Sequence, residues 1–98
     1  MIILRHEAWR FSDGLAFYLA GRDAEAVHAE TSGPGKREYV LHAASYEEAI
    51  QAHYDHQGWG VYRPAPLGAE NYTKAQLERQ LVEYPDDAEL RRLNGLAT

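Results

Sequence analysis

The spacing of apolar and polar positions changes several times along the chain, and each change marks an element. Ile2 to Phe11 is rich in β-formers with an imperfect alternation: Ile3, Trp9 and Phe11 fall on one side, Leu4 and Ala8 on the other. Ser12-Asp13-Gly14 supplies a turn, because an Asp-Gly pair tolerates positive φ and favours hairpins. Leu15 to Ala20 is then a continuous apolar run of strand length, closed by Gly21. The spacing predicts a hairpin of Ile2–Phe11 with Leu15–Ala20.

A helical period follows. Ala24, Val27 and His28 recur at i, i+3 and i+4, and Asp23 and Glu25 suit the positive end of a helix dipole, so Arg22–Thr31 reads as a short helix. Ser32-Gly33-Pro34-Gly35 is the strongest break in the chain, and Glu38–Ala43 beyond it reads as a strand centred on Tyr39, Val40 and Leu41. Ser45-Tyr46-Glu47-Glu48 has the form of a capping box, and Tyr46, Ala49, Ile50, His53 and Tyr54 continue it as one apolar stripe up to Gly58. Trp59–Arg63 reads as a short strand stopped by Pro64 and Pro66, and Pro64–Tyr72 as a loop.

The C-terminal part reads as two helices. Thr73-Lys74-Ala75-Gln76 is a second capping box, followed by Leu77, Leu81 and Tyr84 on one face, with Pro85 as the break. Asp86-Asp87-Ala88-Glu89 opens the last helix, Arg91 and Arg92 lie near its end, and Asn94-Gly95 closes it. The order predicts an α+β fold: a small, mostly antiparallel sheet of three or four strands, helices on one face, and a C-terminal helical pair. One domain over residues 1–98 is expected, with a sheet-containing part over 1–64 and the loop and helical pair over 65–98.

Composition narrows the function classes. A length of 98 residues allows one core with little surplus. The absence of cysteine removes disulfide scaffolds, thiolate metal sites and cysteine nucleophiles. A net charge of −5, with basic residues scattered apart from Lys36-Arg37 and Arg91-Arg92, makes a nucleic-acid partner an unfavoured reading. No apolar run approaches the ~20 residues that span a bilayer, and Met1-Ile2-Ile3-Leu4-Arg5 does not have the form of a signal peptide, so a cytoplasmic protein is expected. Arginine in excess of lysine and abundant alanine suggest a bacterial or phage genome.

Few motifs carry chemistry. His53-Tyr54-Asp55-His56 puts two imidazoles at i and i+3 with a carboxylate nearby, but a metal site needs three or four ligands and no second pair stands out. No metal and no cofactor is therefore expected. Ser12, Ser32 and Ser45 have places as turn, loop and cap, and none sits in a Gly-x-Ser-x-Gly elbow. Gly33-Pro34-Gly35-Lys36-Arg37 lacks the hydroxyl and the following helix of a phosphate loop.

Gly58-Trp59-Gly60-Val61-Tyr62-Arg63 is different, because glycines flank a tryptophan and leave it little local cover. Trp59, Tyr62 and Arg63 are residue types enriched at binding hot spots, and with His53 and His56 they form the candidate binding set. The expected role is a non-catalytic protein–protein interaction module or a self-associating one, such as a homodimer through a sheet edge or the C-terminal helices. The alternative is a small enzyme or a ligand- or metal-binding domain that uses His53, Asp55 and His56.

Overall fold

The computed structural model describes residues 1–62 and 72–96. It is an α+β fold: β1 (Leu4–Phe11), β2 (Gly14–Leu19), α1 (Arg22–Ser32), β3 (Lys36–Ala43), α2 (Tyr46–Gln57), α3 (Lys74–Glu83) and α4 (Ala88–Leu93). The strands form one antiparallel sheet in the order β2-β1-β3. The hairpin closes on Ser12-Asp13, with Phe11 opposite Gly14 and His6 opposite Leu19. On the other side Leu4 stands opposite Ala43, and the register shifts between Ala8 and Trp9.

Because it is central, β1 is covered on both faces, and five consecutive residues, Leu4 to Ala8, are buried. Alternation puts Leu4, His6 and Ala8 on one face with Phe17, Leu19, Tyr39 and Leu41. Helix α2 lies over this face: His53 stacks on Phe17 at 4.3 Å, and Tyr46 meets both Phe17 and His6. Arg5, Glu7, Trp9 and Phe11 point the other way, together with Tyr18 and His42. Helix α1 touches that face through His28, which stacks on Tyr18 at 4.3 Å and reaches Phe11. None of the residues of α1 is itself buried, and Val27 is exposed. A Cβ at Gly35 would run into the Phe11 ring, so the break before β3 requires glycine there.

The caps form largely as the spacing predicts. Thr73 and Gln76 make the full reciprocal box at the start of α3. At α2 the Ser45 hydroxyl accepts from Glu48 N–H, while the Glu48 carboxylate accepts from Ala44 N–H, one residue before the cap. Asp87 caps α4 by accepting from Leu90 N–H.

The helical pair closes the start of the sheet. Leu77 and Leu90 pack on Leu4, with Ile2, Leu19, Tyr72 and Leu81 around them. Two amide side chains complete the junction. Gln80 accepts from Arg5 N–H at 2.8 Å and donates to the carbonyls of Arg5 and Ala20, bridging β1 and β2 where they part. Asn94 accepts from Ile3 N–H at 2.9 Å and donates to Ile3 C=O at 2.8 Å. Each amide stands in for a missing strand neighbour and pairs peptide groups of Ile3, Arg5 and Ala20.

One expected element does not form. Over its described part, residues 59–62, the segment read as the strand Trp59–Arg63 is irregular. Gly60 has φ +88°, and Gln51 takes up its peptide groups, accepting from Tyr62 N–H at 2.8 Å and donating to Gly60 C=O at 3.2 Å. The segment is thus held against α2. Arg63, and residues 64–71 of the segment expected as the loop Pro64–Tyr72, lie outside the described residues.

Candidate functional site

The C-terminal end of α2 fixes the candidate binding residues. Gly58 takes the left-handed conformation, φ 72° and ψ 30°, and reverses the chain. Gly58 N–H then donates to Asp55 C=O and Trp59 N–H to Tyr54 C=O at 3.0 Å, the paired bonds of a Schellman motif. That motif is often accompanied by contact between the side chains it brings together, here Tyr54 and Trp59. Their rings meet edge to face at 5.3 Å, and Trp59 meets His53 at the same separation. Tyr62 adds a further edge contact to Tyr54 at 5.2 Å. Trp59 is nonetheless 55% exposed and Val61 69% exposed. The result is an aromatic flank whose backbone is fixed and whose outer surface is open.

The two histidines diverge, although both reach Tyr39. His53 is buried, stacked on Phe17, with Nδ1 hydrogen-bonded to the Tyr39 hydroxyl. Burial, and secondarily the neighbouring His56, pushes its pKa below the ordinary imidazole value, so it is neutral and can accept the phenol proton at Nδ1. His56 is exposed and stacks flat on the Tyr39 ring at 3.9 Å. Asp55 turns away from both and accepts from Gln51 at 2.9 Å. The structure therefore joins Trp59, Tyr62 and His53 through Tyr54, ties His56 to them through Tyr39, and leaves Asp55 apart. Among the described residues, no three His, Asp or Glu side chains converge as metal ligands.

A second constellation, which the sequence reading does not find, lies under the opposite face. Glu7 is fully buried. Its Oε2 accepts from Arg5 Nε at 3.0 Å and Nη2 at 2.7 Å, with Arg37 at 3.5 Å, and its Oε1 accepts from Trp9 Nε1 at 3.0 Å. Arg5 also donates to Asp87 at 2.9 Å, where His42 Nε2 lies at the same distance. Burial alone would raise the Asp87 carboxyl, but His42, Leu90 N–H and Arg5 outweigh it and hold it below the usual carboxylate range. Tyr84 lies under Arg5 at 4.3 Å and Arg22 at 4.7 Å. Burial, with the charges of Glu7 and Glu25, pushes Tyr18 up to about 12, and it also raises Tyr84. Both phenols are therefore neutral hydroxyls at physiological pH.

Only one signal in the sequence points to this cluster: Arg5 and Glu7 alternate on a strand that is otherwise rich in β-formers. Apart from Trp9 on the same strand, its other members come from β3 and from the turn before α4. Glu7 is enclosed by its partners, so the arrangement holds the sheet to the turn at Tyr84–Asp87, with the half-exposed Arg37 at its rim.

Comparison with known protein families, with functionally described proteins and with solved structures found no match to this chain. No helix among the described residues is long and apolar enough to cross a membrane.

Proposed function

We propose that the protein works without catalysis, as a module that binds another protein or a second copy of itself, with Tyr54, Trp59, Val61 and Tyr62 as its contact surface. The observation that carries this reading is the half-exposed Trp59 indole on a locked backbone. Aromatic side chains dominate binding energy at interfaces, and a rigid segment loses little entropy when a partner covers it. Arg63 belongs to the same candidate set by its place in the chain, and His53 supports the surface from beneath by its edge contact with Trp59. The reading supposes a cytosolic protein of bacterial or phage type.

The test compares wild type with Trp59→Ala, both in sedimentation over a concentration series and in capture from a lysate of the source organism. Association that the wild type shows and the variant loses supports the reading. Equal behaviour of the two proteins in both experiments overturns it.

A further inference from the structure

Among the described residues the sheet has two open edges, and the sequence treats them differently. Strand β3 begins with the exposed, charged residues Lys36, Arg37 and Glu38, and the register shift opposite Ala8 and Trp9 leaves Glu38 without a paired residue. Edge charges and bulges are the usual means of blocking further strand addition. Strand β2, Gly14-Leu15-Ala16-Phe17-Tyr18-Leu19, has no charge and no proline, and its register with β1 is unbroken.

The hydrogen-bond parity of β2 follows from one contact. Ala20 N–H donates to Arg5 C=O at 3.0 Å, so the Arg5–Ala20 position is of the bonded kind. Stepping along the antiparallel register, Tyr18, Ala16 and Gly14 also aim their peptide groups at β1. Leu15, Phe17 and Leu19 therefore aim theirs out of the sheet edge, where they have no partner among the described residues.

Among the described residues, α2 covers this edge less than it covers the β3 edge. Helix α2 lies nearer to β3 than to β2. His56 stacks on Tyr39 of β3, and Tyr54, about 200° further round the helix, lies on the flank toward β2 with Trp59 against it.

We propose that a second copy of this chain pairs antiparallel along β2, about a two-fold axis at Phe17, and fuses the two sheets into one. This rests on the reading of the protein as an association module and names its partner. A two-fold interface must be complementary to itself, and β2 meets that demand three times over. With Phe17 opposite Phe17 of the second copy, Leu15 falls opposite Leu19, and every outward N–H meets an outward C=O. On the α2 face, Leu15 then packs on Leu19 of the second copy and the two Phe17 rings adjoin. On the other face the small Ala16 meets the large Tyr18 of the second copy. No like charges meet, because the strand carries none. The flanks bearing Tyr54 and Trp59 approach one another across the same axis and extend the contact beyond the strands.

Sedimentation velocity over a concentration series, with amide exchange followed residue by residue, tests this proposal. The expected result is a dimer in which the amides of Leu15, Phe17 and Leu19 become protected as concentration rises. Those of Ala16 and Tyr18 should be protected throughout, because β1 already holds them. Leu15→Pro removes one outward N–H per copy and no bond to β1, so the dimer dissociation constant should rise about 10–100-fold with the Ala16 and Tyr18 amides still protected.

A strictly monomeric protein overturns the proposal. So does a dimer in which the three outward amides exchange freely. A dimer of that second kind that dissociates on Trp59→Ala would leave the aromatic flank as the contact surface while removing the strand pairing. Protection of the three amides only after an unrelated protein is added would assign the edge to a different partner and likewise overturn pairing between copies.

Discussion

The two faces of the sheet are filled by opposite means. Beneath α2, the face of Leu4, His6, Ala8, Phe17 and Tyr39 is a stack of rings and aliphatic groups, in which the buried imidazoles of His6 and His53 behave as neutral, partly apolar bodies. The other face is built around charge: Arg5 lies between the carboxylates of Glu7 and Asp87, with His42, Arg37 and Trp9 completing their shells. An apolar stack loses stability in proportion to the atoms removed. An ion cluster fails when one of its buried charges, here Arg5, Glu7 or Asp87, is lost, because the remaining charge is left short of both water and a partner. The aromatic face is therefore the more tolerant of substitution, and the candidate contact surface lies at its rim.

The sharpest way to break this contrast is Glu7→Gln. It preserves shape but leaves Arg5 and Arg37 facing a neutral group, and we expect a loss of about 3–5 kcal/mol in urea unfolding. A loss under ~1 kcal/mol would show that water enters the cluster and that the two faces are more alike than their contacts suggest. On the apolar side, Leu90→Ala, which removes a fully buried side chain against Leu4, should cost about 2–5 kcal/mol by the same measurement, with the cooperative transition retained.

A third test uses pH. Burial lowers the His6 pKa from 6.5 to about 4, so as pH falls the unfolded chain takes up this proton before the folded one does. The associated stabilisation, about 3 kcal/mol, is present above pH 6.5 and lost as pH falls toward about 4. The Asp87 contribution is present above the unfolded carboxylate value and is lost lower still, as pH falls through its depressed folded value. Unfolding curves across this range should show the first slope in wild type and its flattening in His6→Phe. A slope left intact in that variant would assign it to another group. The smallest effect belongs to Trp59→Ala: about 0.5 kcal/mol or less in stability, against a clear loss of association. A large loss of stability would make the indole a structural prop and remove it as a contact residue.

Residues that act on their near neighbours were the legible part of the sequence. Asp13-Gly14 marks the hairpin, Ser45 and Thr73 start helices, and Gly58 ends one, because turns and caps depend on groups within about one helical turn of each other. Trp59–Tyr62 misled for a physical reason: its aromatic and β-branched side chains suit a strand, but φ at Gly60 and the Gln51 amide decide its path. The ionic cluster stayed hidden because alternating Arg5 and Glu7 resemble the solvent side of a strand. Only the arrival of Asp87, 82 positions later, turns that side inward. The meeting of His53 and His56 on Tyr39 likewise depends on β3 packing beneath α2, which no local pattern encodes.

The amide clasps of Gln80 and Asn94 bear on how the chain reaches its native state. The bonds they make to Arg5 and Ile3 join residues 75 and 91 positions apart. During synthesis the hairpin has all its residues long before these clasps emerge, so its first strand must wait with unmet peptide groups at Ile3 and Arg5. Loops of that span close slowly, and an interval of exposed sheet invites contact between nascent chains. A ribosome-stalled series should accordingly gain protease resistance abruptly, once Asn94 has cleared the exit tunnel, rather than in steps.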